Sequence, residues 1–127
     1  LENLKSILNL PLLLTLSTKS SKHWKESIGL LARGPLADPQ IGSIAIIPVG
    51  SVNESKVNEF VENLSTSLNN RDVFITRDLL KSQGSVNQLL ITSLGVTTYN
   101  QVLALKKKFE LQGAQVTGWV LLDEGYE

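Results

Sequence analysis

Apolar and polar positions alternate in blocks along the chain, and the period of each block predicts an element. Leu10 to Leu16 (LPLLLTL) is an apolar run too short for a helix and reads as a buried strand. A polar Ser/Thr/Lys loop follows over Ser17 to Ser21. From Lys22 to Arg33 the residues Trp24, Ile28, Leu31 and Ala32 recur at three- and four-residue intervals, which is one helical face. Gly34-Pro35 and Pro39 stop that helix. Ser43 to Val49 (SIAIIPV) is β-branched and apolar on both faces, the pattern of a central parallel strand, with Pro48 near its end.

Gly50 to Glu54 is a turn. Asn53 or Ser51 can cap the next helix, which runs to Asn69 with Val57, Phe60, Val61, Leu64 and Leu68 on one stripe. Val73 to Thr76 is a strand, and after the short stretch Lys81 to Gly84 comes a further strand, Gln88 to Ser93. Gly95 turns the chain, Thr97 or Thr98 caps a helix to Gln112, and Gly113 stands at the usual C-terminal stop. Val116 to Leu122 is the last strand. The order β-α-β-α-β-(short)-β-α-β implies right-handed crossovers. The expected fold class is therefore α/β, a three-layer sandwich with a mostly parallel sheet and Rossmann-like topology.

Length and composition narrow the function. A chain of 127 residues is one domain, 1–127. With 42% apolar and 19% charged residues it folds as an ordinary globular chain. Its 12 Lys+Arg balance 12 Asp+Glu, which argues against a strongly basic nucleic-acid surface. The absence of cysteine excludes disulfides, thiolate metal sites and cysteine nucleophiles. A single histidine, His23, excludes a multi-histidine metal site, and no other metal site is expected. No apolar run approaches the roughly 20 residues of a membrane-spanning helix, and no signal peptide is visible. Methionine is absent even at position 1, as expected of a fragment of a longer chain.

In open parallel sheets ligands bind beyond the carboxyl ends of strands, which singles out Gly50-Ser51-Val52-Asn53-Glu54-Ser55-Lys56-Val57. Gly50 and Lys56 have the spacing of the first Gly and the Lys of a phosphate-binding P-loop, between a strand and a helix. The chemistry departs from that pattern. Ser55 replaces the second Gly, Val57 replaces the hydroxyl that would hold Mg²⁺, and Glu54 adds a negative charge. Two like charges ~4 Å apart cost about 4 kcal/mol at an effective dielectric near 20. That offsets much of what a helix N-terminus and one Lys supply. The candidate phosphate or nucleotide residues are Gly50, Ser51, Asn53, Ser55, Lys56 and Asp78. An ordinary strand-to-helix turn with a solvated Lys explains the same residues.

Residues 43–80 (SIAIIPVGSVNESKVNEF… to RDLL) and 89–122 (LLITSLGVTTYNQ… to GWVLL) together resemble the cytoplasmic kinase domain of bacterial tyrosine autokinases. Those domains accompany chain-length regulators, or polysaccharide co-polymerases, in exopolysaccharide export and belong to the ParA/MinD-type P-loop ATPases. By that resemblance, 1–40 corresponds to a membrane-proximal linker strand and helix and 41–127 to a reduced P-loop-like core. The family's metal-serving Asp-Ala-Asp falls on Thr76, Arg77 and Asp78, which keeps only the second Asp. Glu26 matches the first residue of the family's assembly helix, while Gly29 and Ala32 stand in its Arg places. The next catalytic strand has no room, and Tyr126 alone stands where the family carries a tyrosine-rich tail.

The resemblance thus implies a catalytically degenerate relative. The expected protein is a non-enzymatic domain on the cytoplasmic side of the inner membrane, joined to the membrane only through segments outside this sequence. It would act on protein partners of a polysaccharide export complex or on itself, with no nucleic acid and no cofactor. Two alternatives use the residues differently: residual ATP, ADP or phosphate binding at Gly50–Lys56, or a small-molecule regulatory site in the crevice beyond Gly50 and Gly95.

The remaining candidates have plainer readings. His23 is a surface residue at a helix start. Trp24 and Trp119 are core or interface groups. Lys106-Lys107-Lys108 is a solvated helix face. Ser93, Thr97 and Thr98 flank the turn at a strand's carboxyl end, and Asp123, Glu124 and Glu127 form an acidic tail.

Overall fold

A computed structural model of the chain describes residues 9–34, 36, 42–85, 87–94, 96–113 and 116–123. Its strands are β1 (Leu12–Ser17), β2 (Ile44–Pro48), β3 (Val73–Ile75), β4 (Asn87–Ser93) and β5 (Gly118–Asp123). Its helices are α1 (Trp24–Arg33), α2 (Glu54–Ser67), α3 (Leu79–Ser82) and α4 (Tyr99–Gln112). The strands form one sheet in the order β1-β5-β4-β2-β3. Every pairing is parallel. The fold is α/β, a three-layer Rossmann-like sandwich, as the alternation of elements implies.

Side-chain parity divides the core. One cluster joins Ile44 and Ile46 of β2, Leu89 and Ile91 of β4, and Val120 and Leu122 of β5 to Trp24, Ile28 and Leu31 of α1 and Val57, Phe60 and Leu64 of α2. The other joins Ile47, Leu90, Trp119 and Leu121 to Leu79 of α3 and to Val102 and Phe109 of α4. Successive strand residues face opposite sides. A strand covered on both sides must therefore be apolar at every position, and β2 is buried throughout.

Element ends follow local chemistry. The Asn53 side chain accepts the Lys56 N–H at the start of α2. Thr98, not Thr97, caps α4 in a reciprocal box with Gln101. Gly113 ends α4 in the left-handed conformation. The short piece between β3 and β4 is the one-turn helix α3, because the Asp78 carboxylate accepts the Leu80 N–H and nucleates it. The first strand lies two residues later than its apolar run suggests and is half-buried, since it is a sheet edge paired only with β5. Pro35, Pro39, Gly95, Glu124, Tyr126 and Glu127 lie outside the described residues.

The part read as a linker contributes to the same sheet and core. The β1 strand pairs with β5 from Leu12 to Ser17. In α1, Trp24 is buried and its indole N–H donates to the Ser17 C=O at 2.8 Å. Among the described residues no helix is long and apolar enough to cross a membrane.

Candidate functional site

Adjacent strands β2 and β4 lead their chains in opposite directions. From β2 the chain passes through α2 to β3, and from β4 it passes through α4 to β5. Their carboxyl ends therefore form the topological switch point, where open α/β sheets hold ligands. Val49–Asn53 follow β2 at this crevice, and Ser93, Thr97 and Thr98 stand at the end of β4.

The crevice is braced from within. The Thr97 hydroxyl accepts the Ser93 N–H at 2.8 Å and donates to the Val49 C=O at 2.9 Å. Gly50 has a φ of 73°, a conformation that L side chains rarely adopt. A Cβ there would stand 2.1 Å from Gln101 Oε1. The same Oε1 accepts the Thr98 N–H at 2.8 Å, so the α4 cap and the β2 turn fit together through this glycine.

Arg77 closes the other side. Along β2, successive residues turn their main-chain groups to opposite neighbours. The Thr76 N–H donates to the Ile46 C=O on the β3 side, and the Val49 N–H to the Ile91 C=O on the β4 side. Pro48 and Gly50 share the parity of Ile46 and face the space beyond β3, which ends at Ile75. Proline has no N–H to lose there. Arg77 reaches over and donates from Nη1 to the Pro48 C=O at 3.2 Å and from Nη2 to the Gly50 C=O at 2.8 Å. The guanidinium thereby continues the ladder that β3 leaves unfinished.

The residues singled out in the sequence do not converge on one point. Gly50, Ser51, Asn53 and Ser55 belong to the turn and the start of α2, and Ser51 and Ser55 are exposed. Asn53 is engaged as a cap. Lys56 extends sideways to α1: its Nζ is 3.4 Å from Glu59 Oε1, 3.4 Å from Ser21 Oγ and 5.6 Å from the centroid of the Trp24 ring. Asp78 points to the start of α3. His23 is exposed and makes no capping bond. Ser93 and Thr97 are buried at the crevice, and Thr98 is exposed at its rim. Lys107 and Lys108 are exposed.

Sequence reasoning missed Arg77 and Gln101. The Thr98-x-x-Gln101 spacing carries the capping-box signature and marks Gln101. Nothing in the local sequence marks Arg77, because its partners are main-chain carbonyls distant in sequence.

Between the end of β2 and α4 lies a cleft of about 260 Å³. Its floor is the end of β2, and its walls are Arg77 and the α4 stripe Gln101, Ala104, Leu105 and Lys108. A smaller cavity of about 130 Å³ lies on the α2 side of Arg77, bordered by Val52, Glu54 and Ile75. Among the described residues, no group of three His, Asp or Glu side chains is arranged to hold a metal ion. Comparison with protein-family models, curated proteins and solved structures finds no match for this chain.

Proposed function

We propose that this is a non-catalytic domain of an exopolysaccharide chain-length or export protein, on the cytoplasmic side of the inner membrane, that works through protein–protein contact. The carrying observation is the placement of Lys56. A P-loop lysine must reach the phosphates cradled by its own turn. Here the ammonium lies between Glu59, Ser21 and the Trp24 ring, and α1 and α2 pack around it. Glu54, Ser55 and Val57 are unsuited to phosphate and Mg²⁺ in the same turn. The export setting rests on the resemblance carried by residues 43–80 and 89–122.

Thermal unfolding with millimolar ATP or ADP, with and without Mg²⁺, tests the non-catalytic part. A ligand at 100 times its dissociation constant adds roughly 2.7 kcal/mol, several degrees for a domain of this size. The expected result is no shift. A shift that disappears in Lys56→Ala would replace this reading with a phosphate-binding module at Gly50–Lys56. Photo-crosslinking from exposed Leu80 or Leu111, in cells that export exopolysaccharide, tests the setting. Adducts with export components are expected, and their absence would overturn it.

A further inference from the structure

We infer that the cleft between the end of β2, Arg77 and α4 binds a small organic anion, a phosphate monoester or carboxylate with an apolar flank. The inference goes beyond the function proposed above and uses neither Lys56 nor a protein partner.

Three features meet in the cleft. Its lining mixes apolar groups, Ile47, Val49 and Leu105, with the polar Gln101 amide and the end of the β2 main chain. Two cationic side chains, Arg77 and Lys108, line it, and among the described residues no carboxylate does. Arg77 is held by the Pro48 and Gly50 carbonyls, which are neutral, and makes no ion pair among the described residues, with Glu54 on the separate cavity at its α2 side. Lys108 makes no hydrogen bond or ion pair among the described residues.

Local structure explains the convergence. Residues 101, 104, 105 and 108 share one helical stripe, so α4 presents an amide, a small gap, an apolar side chain and an ammonium in line. Ala104 supplies the gap. The absent Gly50 side chain lets the Gln101 amide lie against the β2 turn. The cleft lies between the end of β2, Arg77 and the α4 stripe, away from the start of α2, where a P-loop would hold phosphate. At about 260 Å³ it falls just below the ~300 Å³ of drug-sized pockets, which suits a single ring or a short chain bearing one anionic group.

The test is a titration of the isotopically labelled chain with phenyl phosphate, followed by amide chemical shifts. Benzoate compares carboxylate with phosphate. Inorganic phosphate tests charge alone, and benzyl alcohol tests the ring alone. Saturable shifts centred on Val49, Gly50, Gln101, Ala104 and Leu105 are expected for phenyl phosphate or benzoate, with both partial probes weaker. Lys108→Gln should weaken binding about three- to fivefold, the range of one exposed ion pair. Ala104→Trp fills the cleft from an exposed helix position and should abolish binding with the fold intact. Lys56→Ala should bind as the parent does. The inference is overturned if neither organic anion saturates, if shifts centre on Ser51–Lys56, or if Lys108→Gln and Ala104→Trp bind unchanged.

Discussion

Thr97 and Val49, 48 residues apart in sequence, are joined at the switch point by a buried 2.9 Å hydrogen bond from the Thr97 hydroxyl to the Val49 C=O. The Thr97 hydroxyl oxygen also accepts the Ser93 N–H. One hydroxyl thus satisfies a donor and an acceptor at the place where the paths of β2 and β4 diverge. Thr97→Val keeps the shape and removes both bonds. Each orphaned buried group costs about 1–3 kcal/mol. Chemical denaturation should show a loss of about 2–4 kcal/mol with an unchanged slope. A loss below about 0.5 kcal/mol, the size of a neutral surface change, would mean that water replaces the hydroxyl.

Gly50→Ala combines two penalties. The left-handed backbone costs a residue with a Cβ about 1–2 kcal/mol, and the new atom would meet the Gln101 amide at 2.1 Å. Destabilisation of about 2–4 kcal/mol is expected from strain plus overpacking. A double-mutant cycle with Gln101→Ala separates the parts. Removing the amide relieves the clash but leaves the φ strain and breaks the α4 capping box, so the double variant should fall short of additivity. Strict additivity would sink the contact argument.

The elements were legible because period and punctuation agree in them. Isoleucines on both faces identify β2 as central, and the Val57–Phe60–Leu64 stripe identifies the buried side of α2. Strand order was not legible, since β1 pairs with β5 across most of the chain and no local pattern encodes that. Spacing offered Lys56 either a phosphate-binding turn or a solvated position, but the side chain's direction depends on Trp24 and Glu59, which belong to other turns. Arg77 escaped for a similar reason: it substitutes for ladder bonds that become identifiable only once the short β3 is seen beside β2.

Lys56 should therefore behave as a packing residue. Its side chain is 25% exposed and that of Glu59 32%, so their i,i+3 pair is worth only a few tenths of a kcal/mol. The Trp24 ring adds about 0.5–1 kcal/mol. Lys56→Ala should lower stability by about 1 kcal/mol in total. Most of the ion-pair part should disappear at high salt, with the tryptophan emission altered because Trp24 loses its cover. A loss above about 3 kcal/mol, the mark of a broken buried pair, would require another partner for the ammonium.

The β1 edge depends on one close approach. A Cβ on Gly118 would meet Leu13 Cγ at 2.7 Å and the Pro11 carbonyl oxygen at 2.8 Å. That carbonyl accepts the Trp119 N–H at 3.0 Å, and the Trp119 indole N–H donates to the Leu10 C=O at 3.1 Å. The register between β1 and β5 also shifts between Leu12 and Leu14, beside the glycine. Gly118→Ala should push the edge strand outward at a cost of about 1–3 kcal/mol. Because β1 has one strand neighbour and β4 has two, the damage should be local. Amide exchange should accelerate at Leu14–Ser17 and stay slow at Leu89–Thr92. Equal acceleration in both strands would mean that β1 does not open separately, and that the edge and the centre of the sheet unfold as one unit.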